Sequence, residues 1–116
     1  MIVGVTGKRD FHDYQKLCAA LDHHAPTGII SGGCAGADTM AKRYANEHGI
    51  PFTEYLPRFK TDPRTPYHPR WYLKRNEDIV DNCEKLVAFW DGMSKGTGYT
   101  VKYAQKQGKD VAICKV

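Results

Sequence analysis

Two short segments of the chain set glycine beside hydrogen-bond donors. Gly32-Gly33-Cys34-Ala35-Gly36-Ala37-Asp38 and Ser94-Lys95-Gly96-Thr97-Gly98 each follow an apolar run and precede a helical pattern. Glycine lets the backbone turn sharply and lie close to a ligand, while the helix that follows offers unpaired N–H groups and the positive end of its dipole. Together these features make a cradle for phosphate. The second segment adds the hydroxyls of Ser94 and Thr97 and the ammonium group of Lys95. It is not a nucleoside-triphosphatase loop, which places its lysine after the glycine, whereas Lys95 precedes Gly96.

Each of these residues also has a plainer use. Tight packing of a strand onto the next helix calls for glycine as well. Asp38 fits a ligand contact or an ordinary first-turn acid, and Cys34 fits an activated thiol at a helix start or a small spacer. Asp91, at the end of an apolar run, could bond ribose hydroxyls or cap its own turn. Further donors follow the first apolar run at Gly7-Lys8-Arg9 and recur at Arg75-Asn76. Arginine suits two-point capture of a phosphate, and equally suits a surface ion pair. Tyr67, His68, Trp71 and Tyr72 could stack on a base or pack the following helix.

The elements that position these residues are legible as periodicities. Ile2-Val3-Gly4-Val5-Thr6 is an apolar, β-branched run of the kind buried on both faces of a parallel sheet. Tyr14, Leu17, Cys18 and Leu21 then recur at helical spacing, and Pro26-Thr27-Gly28 closes that segment. Gly28 to Ser31 reads as a strand, and Ala37, Met40, Ala41, Tyr44 and Ala45 as a helix stopped at Gly49 before Ile50-Pro51. Phe52 to Leu56 alternates, as an edge strand does. Pro57, Pro63, Pro66 and Pro69 exclude regular structure over most of 57–70. Tyr72, Asn76, Ile79, Val80 and Cys83 mark the next helix, Lys85 to Trp90 a strand, about Tyr99 to Gln107 a last helix, and Val111 to Cys114 a last strand.

This alternation predicts one α/β domain over residues 1–116, a Rossmann-like, doubly wound parallel sheet of five strands in three layers. Strand order 3-2-1-4-5 puts the switch point between the first and fourth strands. Ligands of such sheets bind outside the carboxyl ends of the strands at that crevice, where the turns after Thr6, Ser31 and Trp90 fall.

Composition narrows the field. No apolar stretch approaches the ~20 residues of a membrane span, and Met1 leads straight into the first strand, so a soluble, untargeted chain with no membrane partner is expected. Cys18, Cys34, Cys83 and Cys114 are widely separated in apolar or small-residue surroundings, as reduced cytoplasmic thiols are. With no CxxC pair and no metal-ligand spacing among the histidines, neither a structural metal nor a cofactor is expected, although a metal could arrive with a phosphate ligand. The formal charge is a mild +4, but Arg58, Lys60, Arg64, Arg70, Lys74 and Arg75 crowd residues 57–75 with Asp62 as their only acid. Such a concentration suits an anionic partner, or a solvated loop.

The motifs resemble the SLOG superfamily, in particular its small YspA-like, cpYpsA-related branch. The resemblance rests on Gly7-x-Arg9, Gly32-Gly33-x-x-Gly36-Ala37-Asp38, Arg75-Asn76 and Asp91-Gly92-x-Ser94-x-Gly96-Thr97, in that order along nearly the whole chain. It implies a Rossmann-like fold that binds nucleotides or nucleotide-derived ligands, with relatives in bacterial and phage genomes. The superfamily's enzymatic Lonely Guy phosphoribohydrolases use an Arg on the third helix and a Glu in a Gly-Gly-x-Gly-Thr-x-x-Glu turn. Arg75 matches the first, whereas Thr100 stands in place of the Glu and Ser94 in place of a glycine. Threonine is no general base at neutral pH. If the chain were an enzyme, Arg75 and Asp91 would be its catalytic pair, with Glu77 or Asp78 as alternative carboxylates.

The reading that follows is a nucleotide-ligand binding module acting as sensor, sequestering protein or regulatory domain, with Gly7, Arg9, Gly32, Gly33, Gly36, Asp38, Arg75, Asn76, Asp91, Ser94, Lys95, Gly96 and Thr97 as its ligand contacts. A nucleotide N-glycoside or phosphoester hydrolase is one alternative. Single-stranded nucleic-acid binding through residues 57–75 is another. A homo-oligomer is expected from the apolar face of the third helix.

Overall fold

The structure is a computed structural model that describes residues 1–116. Its elements are β1 (Ile2–Gly7), α1 (Tyr14–His24), β2 (Gly28–Gly32), α2 (Ala37–His48), β3 (Phe52–Tyr55), α3 (Arg58–Thr61), α4 (Arg70–Asn82), β4 (Lys85–Trp90), α5 (Lys95–Lys106) and β5 (Asp110–Lys115). All five strands are parallel in the order β3-β2-β1-β4-β5, so the anticipated topology and the edge position of β3 hold.

Alternation of side chains along the central strands divides the core. Val3, Val5, Ile29, Val87 and Phe89 face α1 and α2, packing on Leu17, Leu21, Ala41, Tyr44 and Ala45. Ile30 and Leu86 face the other way, toward Ile79 and Val80 of α4 and Ala104 of α5. The layer beneath α4 is thin where it crosses β1. A Cβ at Gly4 would come within 3.0 Å of Cys83 Sγ and 3.1 Å of Ile79, so glycine sets how closely α4 approaches the sheet. That approach brings Arg75, one turn before Ile79, over the carboxyl end of β1 and β2. Pairing of Val5 with Ser31 and of Gly7 with Phe89 brings three strand ends together at this edge.

The helix boundaries depart from the sequence reading at two places. The segment after Pro57 forms the short helix α3, seated between Pro57 and Pro63, and α4 starts at Arg70 directly after Pro69. Proline is compatible with a helix start because the N–H it lacks would have had no partner there. At the other end, α5 begins at Lys95, not near Tyr99. Gly96 and Gly98 belong to its first turn, and a Cβ at Gly98 would lie 2.9 Å from the Trp90 ring. Glycine at 98 therefore serves helix-on-strand packing within the helix. Gly49 adopts the expected left-handed cap at φ 64°. No helix is long and apolar enough to cross a membrane.

Candidate functional site

A cleft of about 460 Å³ opens at the carboxyl edge, between the β1 turn, the start of α2, one face of α4 and the start of α5. At its base lies Arg75, only 5% exposed. Its Nε donates to Asn76 Oδ1 at 2.9 Å, Nη1 to the Tyr55 carbonyl at 3.3 Å and Nη2 to Cys34 Sγ at 3.5 Å. A guanidinium carries five N–H groups, so two remain for a further acceptor. No ion pair joins it to a carboxylate. With no direct ion pair, and only the through-space charge of the neighbouring Asp38 opposing it, the guanidinium keeps donors for an incoming anion.

Glycine at 32 admits the guanidinium. A Cβ there would stand 2.6 Å from Arg75 Nη1 and 2.8 Å from Asp38 Oδ2. Asp38, in the first turn of α2 and 8% exposed, accepts the Cys34 N–H at 3.3 Å. Burial pushes its carboxyl up to about 6, against the opposing pull of the neighbouring Ser31 hydroxyl, of that amide and of the charges on Arg75 and Arg9. The Ser31 hydroxyl beside it donates to the Val5 carbonyl at 2.8 Å. Asp38 thus passes between neutral and charged forms in the mildly acidic range, next to a fixed cation.

On the opposite wall Ser94, Gly96 and Thr97 begin α5. The amides of the first helical turn have no intrahelical acceptor, which leaves Gly96 and Thr97 N–H facing the carboxyl edge. Ser94 Oγ lies 3.4 Å from Thr97 Oγ1. The rim carries Lys8 and Arg9. Lys8 Nζ sits 3.4 Å from Asp10 and 3.3 Å from Asp91, and its pKa is raised chiefly by the bond to Asp91. Arg9 makes no ion pair, and its guanidinium lies 5.8 Å from the centre of the Tyr72 ring, with Arg75 at 5.7 Å from the same ring.

The cleft brings together Gly7, Arg9, Asp38, Arg75, Asn76, Ser94, Gly96 and Thr97 from the sequence reading. Gly32, Gly33, Gly36, Lys95 and Asp91 do not line it. Gly32 supports Arg75 from behind, Gly33 lies under Leu56 at 2.8 Å from a would-be Cβ, and Gly36 at φ 79° lets the Lys8 and Arg9 carbonyls approach. Asp91 Oδ1 accepts the Met93 and Ser94 amides at 2.8 and 2.9 Å, and Oδ2 meets Lys8. Those amides, with Lys8, hold its carboxyl down to about 2. Of its two possible roles, this geometry is that of the turn cap. Thr100 is 1% exposed and donates to the Gly96 carbonyl at 2.9 Å, outside the cleft.

Sequence reasoning passed over Thr6, Asp10 and Leu73, which also line the cleft, and left the part of Tyr72 undecided. Helical spacing contained the signal for the last two. Tyr72, Leu73, Arg75 and Asn76 stand at i, i+1, i+3 and i+4, one face of α4.

Comparison with known proteins agrees with this geometry at the level of family and fold. Residues 1–61 match the family described as the YspA, cpYpsA-related SLOG family, a span holding the β1 and β2 turns but neither Arg75 nor the start of α5. Over 55 residues the chain is 36% identical to the uncharacterized SPbeta prophage-derived protein YoqJ of Bacillus subtilis (strain 168), which covers 46% of this chain and 32% of that protein. DNA processing protein A (DprA) from Streptococcus pneumoniae superposes with a TM-score of 0.77 at 20% identity, over 96% of this chain and 49% of that one. DNA processing protein A from Helicobacter pylori, whose structure concerns its single-stranded DNA binding mode, gives 0.74 at 18%, over 97% and 64%. The molybdenum cofactor carrier protein of Chlamydomonas reinhardtii gives 0.66 at 23%, over 97% and 74%. At such identities these three share a fold with the chain. It spans about a third of the curated relative's length and about half of the pneumococcal structure.

Proposed function

The chain belongs to the YspA, cpYpsA-related SLOG family, and from that premise we propose that its cleft binds a nucleotide or nucleotide-derived ligand through a phosphoryl group, as a sensor, sequestering protein or regulatory domain. The observation that carries this reading is Arg75: a nearly buried guanidinium with two uncommitted N–H groups, no direct ion pair and the first turn of α5 across the cleft. A phosphoryl oxygen between Arg75 and the Gly96 and Thr97 amides would satisfy donors from two elements at once. Asn76 Nδ2 and the Thr97 and Ser94 hydroxyls stand near enough to the same cleft to meet ribose or further phosphoryl oxygens.

Titration calorimetry with AMP, ADP-ribose and a cyclic mononucleotide tests this. Wild type is expected to bind at least one of them at submillimolar concentration, and Arg75→Lys to bind it at least tenfold more weakly, because an ammonium group cannot reproduce the two-point contact. An absence of binding by wild type at millimolar ligand would overturn the reading.

A hydrolytic role has less support in the geometry. Of the carboxylates the sequence offers for it, Asp91 is committed to its turn, Glu77 accepts the Tyr99 hydroxyl and Asp78 pairs with Lys74 at 2.9 Å, which leaves Asp38, in the cleft itself and raised to about 6, as the acid such a role would need. Single-stranded nucleic-acid binding draws on the guanidiniums of Arg58 and Arg70 beside the Trp71 ring, at 5.5 and 4.8 Å. Its mark would be affinity that falls steeply with salt.

A further inference from the structure

Asp38 and Arg75 flank one point of the cleft wall. A Cβ at Gly32 would lie 2.6 Å from Arg75 Nη1 and 2.8 Å from Asp38 Oδ2, yet no ion pair joins the two side chains. Asp38 takes one backbone hydrogen bond, from the Cys34 amide to Oδ2 at 3.3 Å, and no amide reaches Oδ1. The groups that face this carboxyl come from every element around it: Ser31 from β2, the Cys34 amide from the following turn, Arg9 from the loop after β1 and Arg75 from α4. The third cation of the cleft, Lys8, is held instead by Asp10 and Asp91. Asp38 is therefore the one acid lining the cleft that no cation pairs.

Two kinds of ligand group could meet such a carboxyl. A ribose hydroxyl would donate to it and hold it ionised. A phosphoryl oxygen only accepts, and one laid between Arg75 and the start of α5 would set an anion beside an anion. Once protonated, the same carboxyl is a donor, and the repulsion becomes a hydrogen bond. Burial has already pushed Asp38 up to about 6, so its two states lie close in free energy near neutral pH. An anion that engages Arg75 removes part of the pull toward the charged form and tips the balance to the acid.

We propose that Asp38 meets the ligand as a neutral acid, donating an Oδ1 proton to a phosphoryl oxygen held by Arg75, so that binding draws a proton from the solvent. The inference rests on the reading of the cleft and deepens it. At this position the site selects an anionic group that only accepts hydrogen bonds over a ribose hydroxyl, and affinity is linked to pH. The proton comes from water or buffer, and no bond of the ligand breaks.

Calorimetry with ADP-ribose and 3′,5′-cyclic AMP tests this, because the phosphoryl groups of neither ligand take up a proton between about pH 5 and 8. Repeated at pH 7 in buffers of different ionisation enthalpy, wild type is expected to take up at least about half a proton per ligand. Its affinity should fall about three- to tenfold per pH unit from 6.5 to 8. Asp38→Asn keeps an acceptor for the Cys34 amide and offers an N–H where the acid proton would lie. That variant should bind without proton uptake, hold its affinity across the range and bind about tenfold more tightly than wild type at pH 8. If only AMP binds, the same difference between wild type and variant is read with AMP, whose own protonation is common to both. Uptake near zero in wild type, uptake that persists in Asp38→Asn, or release of a proton overturns the proposal and leaves the cleft reading intact. Release would assign Asp38 to a ribose hydroxyl.

Sulfate, a tetrahedral dianion that does not protonate in this range, separates the two failures. It should raise the titration midpoint of the Asp38 carboxyl carbon resonance by at least about half a pH unit over chloride at equal ionic strength. If no nucleotide binds but sulfate moves that midpoint, the nucleotide reading fails and the role of Asp38 stands. If no nucleotide binds and sulfate leaves the midpoint in place, both fail.

Discussion

A Cβ added at Gly36 would lie 2.6 Å from the Arg9 carbonyl, whereas one added at Gly96 would meet nothing within 4 Å. Both glycines belong to strand-to-helix connections that look interchangeable in the sequence. After β2, glycine is consumed by the protein itself: Gly32 makes room for Arg75, Gly33 for Leu56 and Gly36 for two backbone carbonyls. After β4, Gly96 faces open space at the start of α5, beside the cleft. The acids of the two connections differ in the same sense. Asp38 is buried and its carboxyl rises to about 6, while Asp91 is held at about 2 by the Ser94 and Met93 amides. A glycine-rich turn is therefore not one device. The first builds the wall that positions a cation, and the second leaves the backbone at the start of α5 open beside the cleft.

The largest effect should come from Gly36→Ala. The residue sits at φ 79°, a conformation strained for any residue with a side chain, and the new methyl would press on the Lys8 and Arg9 carbonyls, which are backbone and cannot swing away. A loss of about 3 kcal/mol or more is expected from strain and overlap together. Urea denaturation measures it through the midpoint. A shift no larger than that of a surface substitution would mean that this turn is not a packed wall.

Asp38→Asn comes next. Because its folded-state pKa of about 6 lies above the ordinary 3.8, the folded protein holds the proton to higher pH than the unfolded chain does. The carboxyl thus imposes no penalty below about pH 4, an increasing one between 4 and 6, and a full one above. The amide should stabilise the protein on the order of 2 kcal/mol at pH 7.5, and the advantage should vanish by pH 4. Thermal unfolding of both proteins across that range reads the difference. A gap that stays constant with pH would show that the carboxyl titrates normally.

How much of this contrast the chain discloses in advance depends on which contacts decide it. The apolar run of β1, the helical stripes and the Gly49 stop are local, and they carried the topology down to the strand order. Thr97 was legible because strand ends and helix starts gather at one sheet edge whatever the details of the loops, whereas Arg75 and Asn76, inside α4, stood out as an Arg-Asn pair within the motif order of the family resemblance. Gly32 could not be separated from Gly96 in this way, since its neighbour is the Arg75 side chain, 43 positions away in the sequence and brought there by the thin layer over Gly4. The start of α5 was misplaced because Gly96 and Gly98 are poor helix formers by propensity, and only the Trp90 ring against Gly98 explains why a helix tolerates them. Trp71 and its two arginines were visible as a basic, aromatic segment, but the unpartnered N–H appears only in three dimensions.

The smallest effect on stability should come from Gly96→Ala. With no atom in the way and a helical backbone, alanine lowers the entropy of the unfolded chain and improves helix propensity, a gain of about 0.5 to 1 kcal/mol. The same methyl would project into the space where a phosphoryl group must come close to the Gly96 and Thr97 amides, so nucleotide affinity should fall although the protein becomes more stable. Opposite signs in two measurements on one variant, a raised denaturation midpoint and a weakened calorimetric affinity, cannot arise from general damage to the fold. Unchanged affinity in the stabilised variant would place the phosphoryl group against Arg75 and Arg9 alone, and the start of α5 would then be no more of a ligand contact than the packed turn after β2.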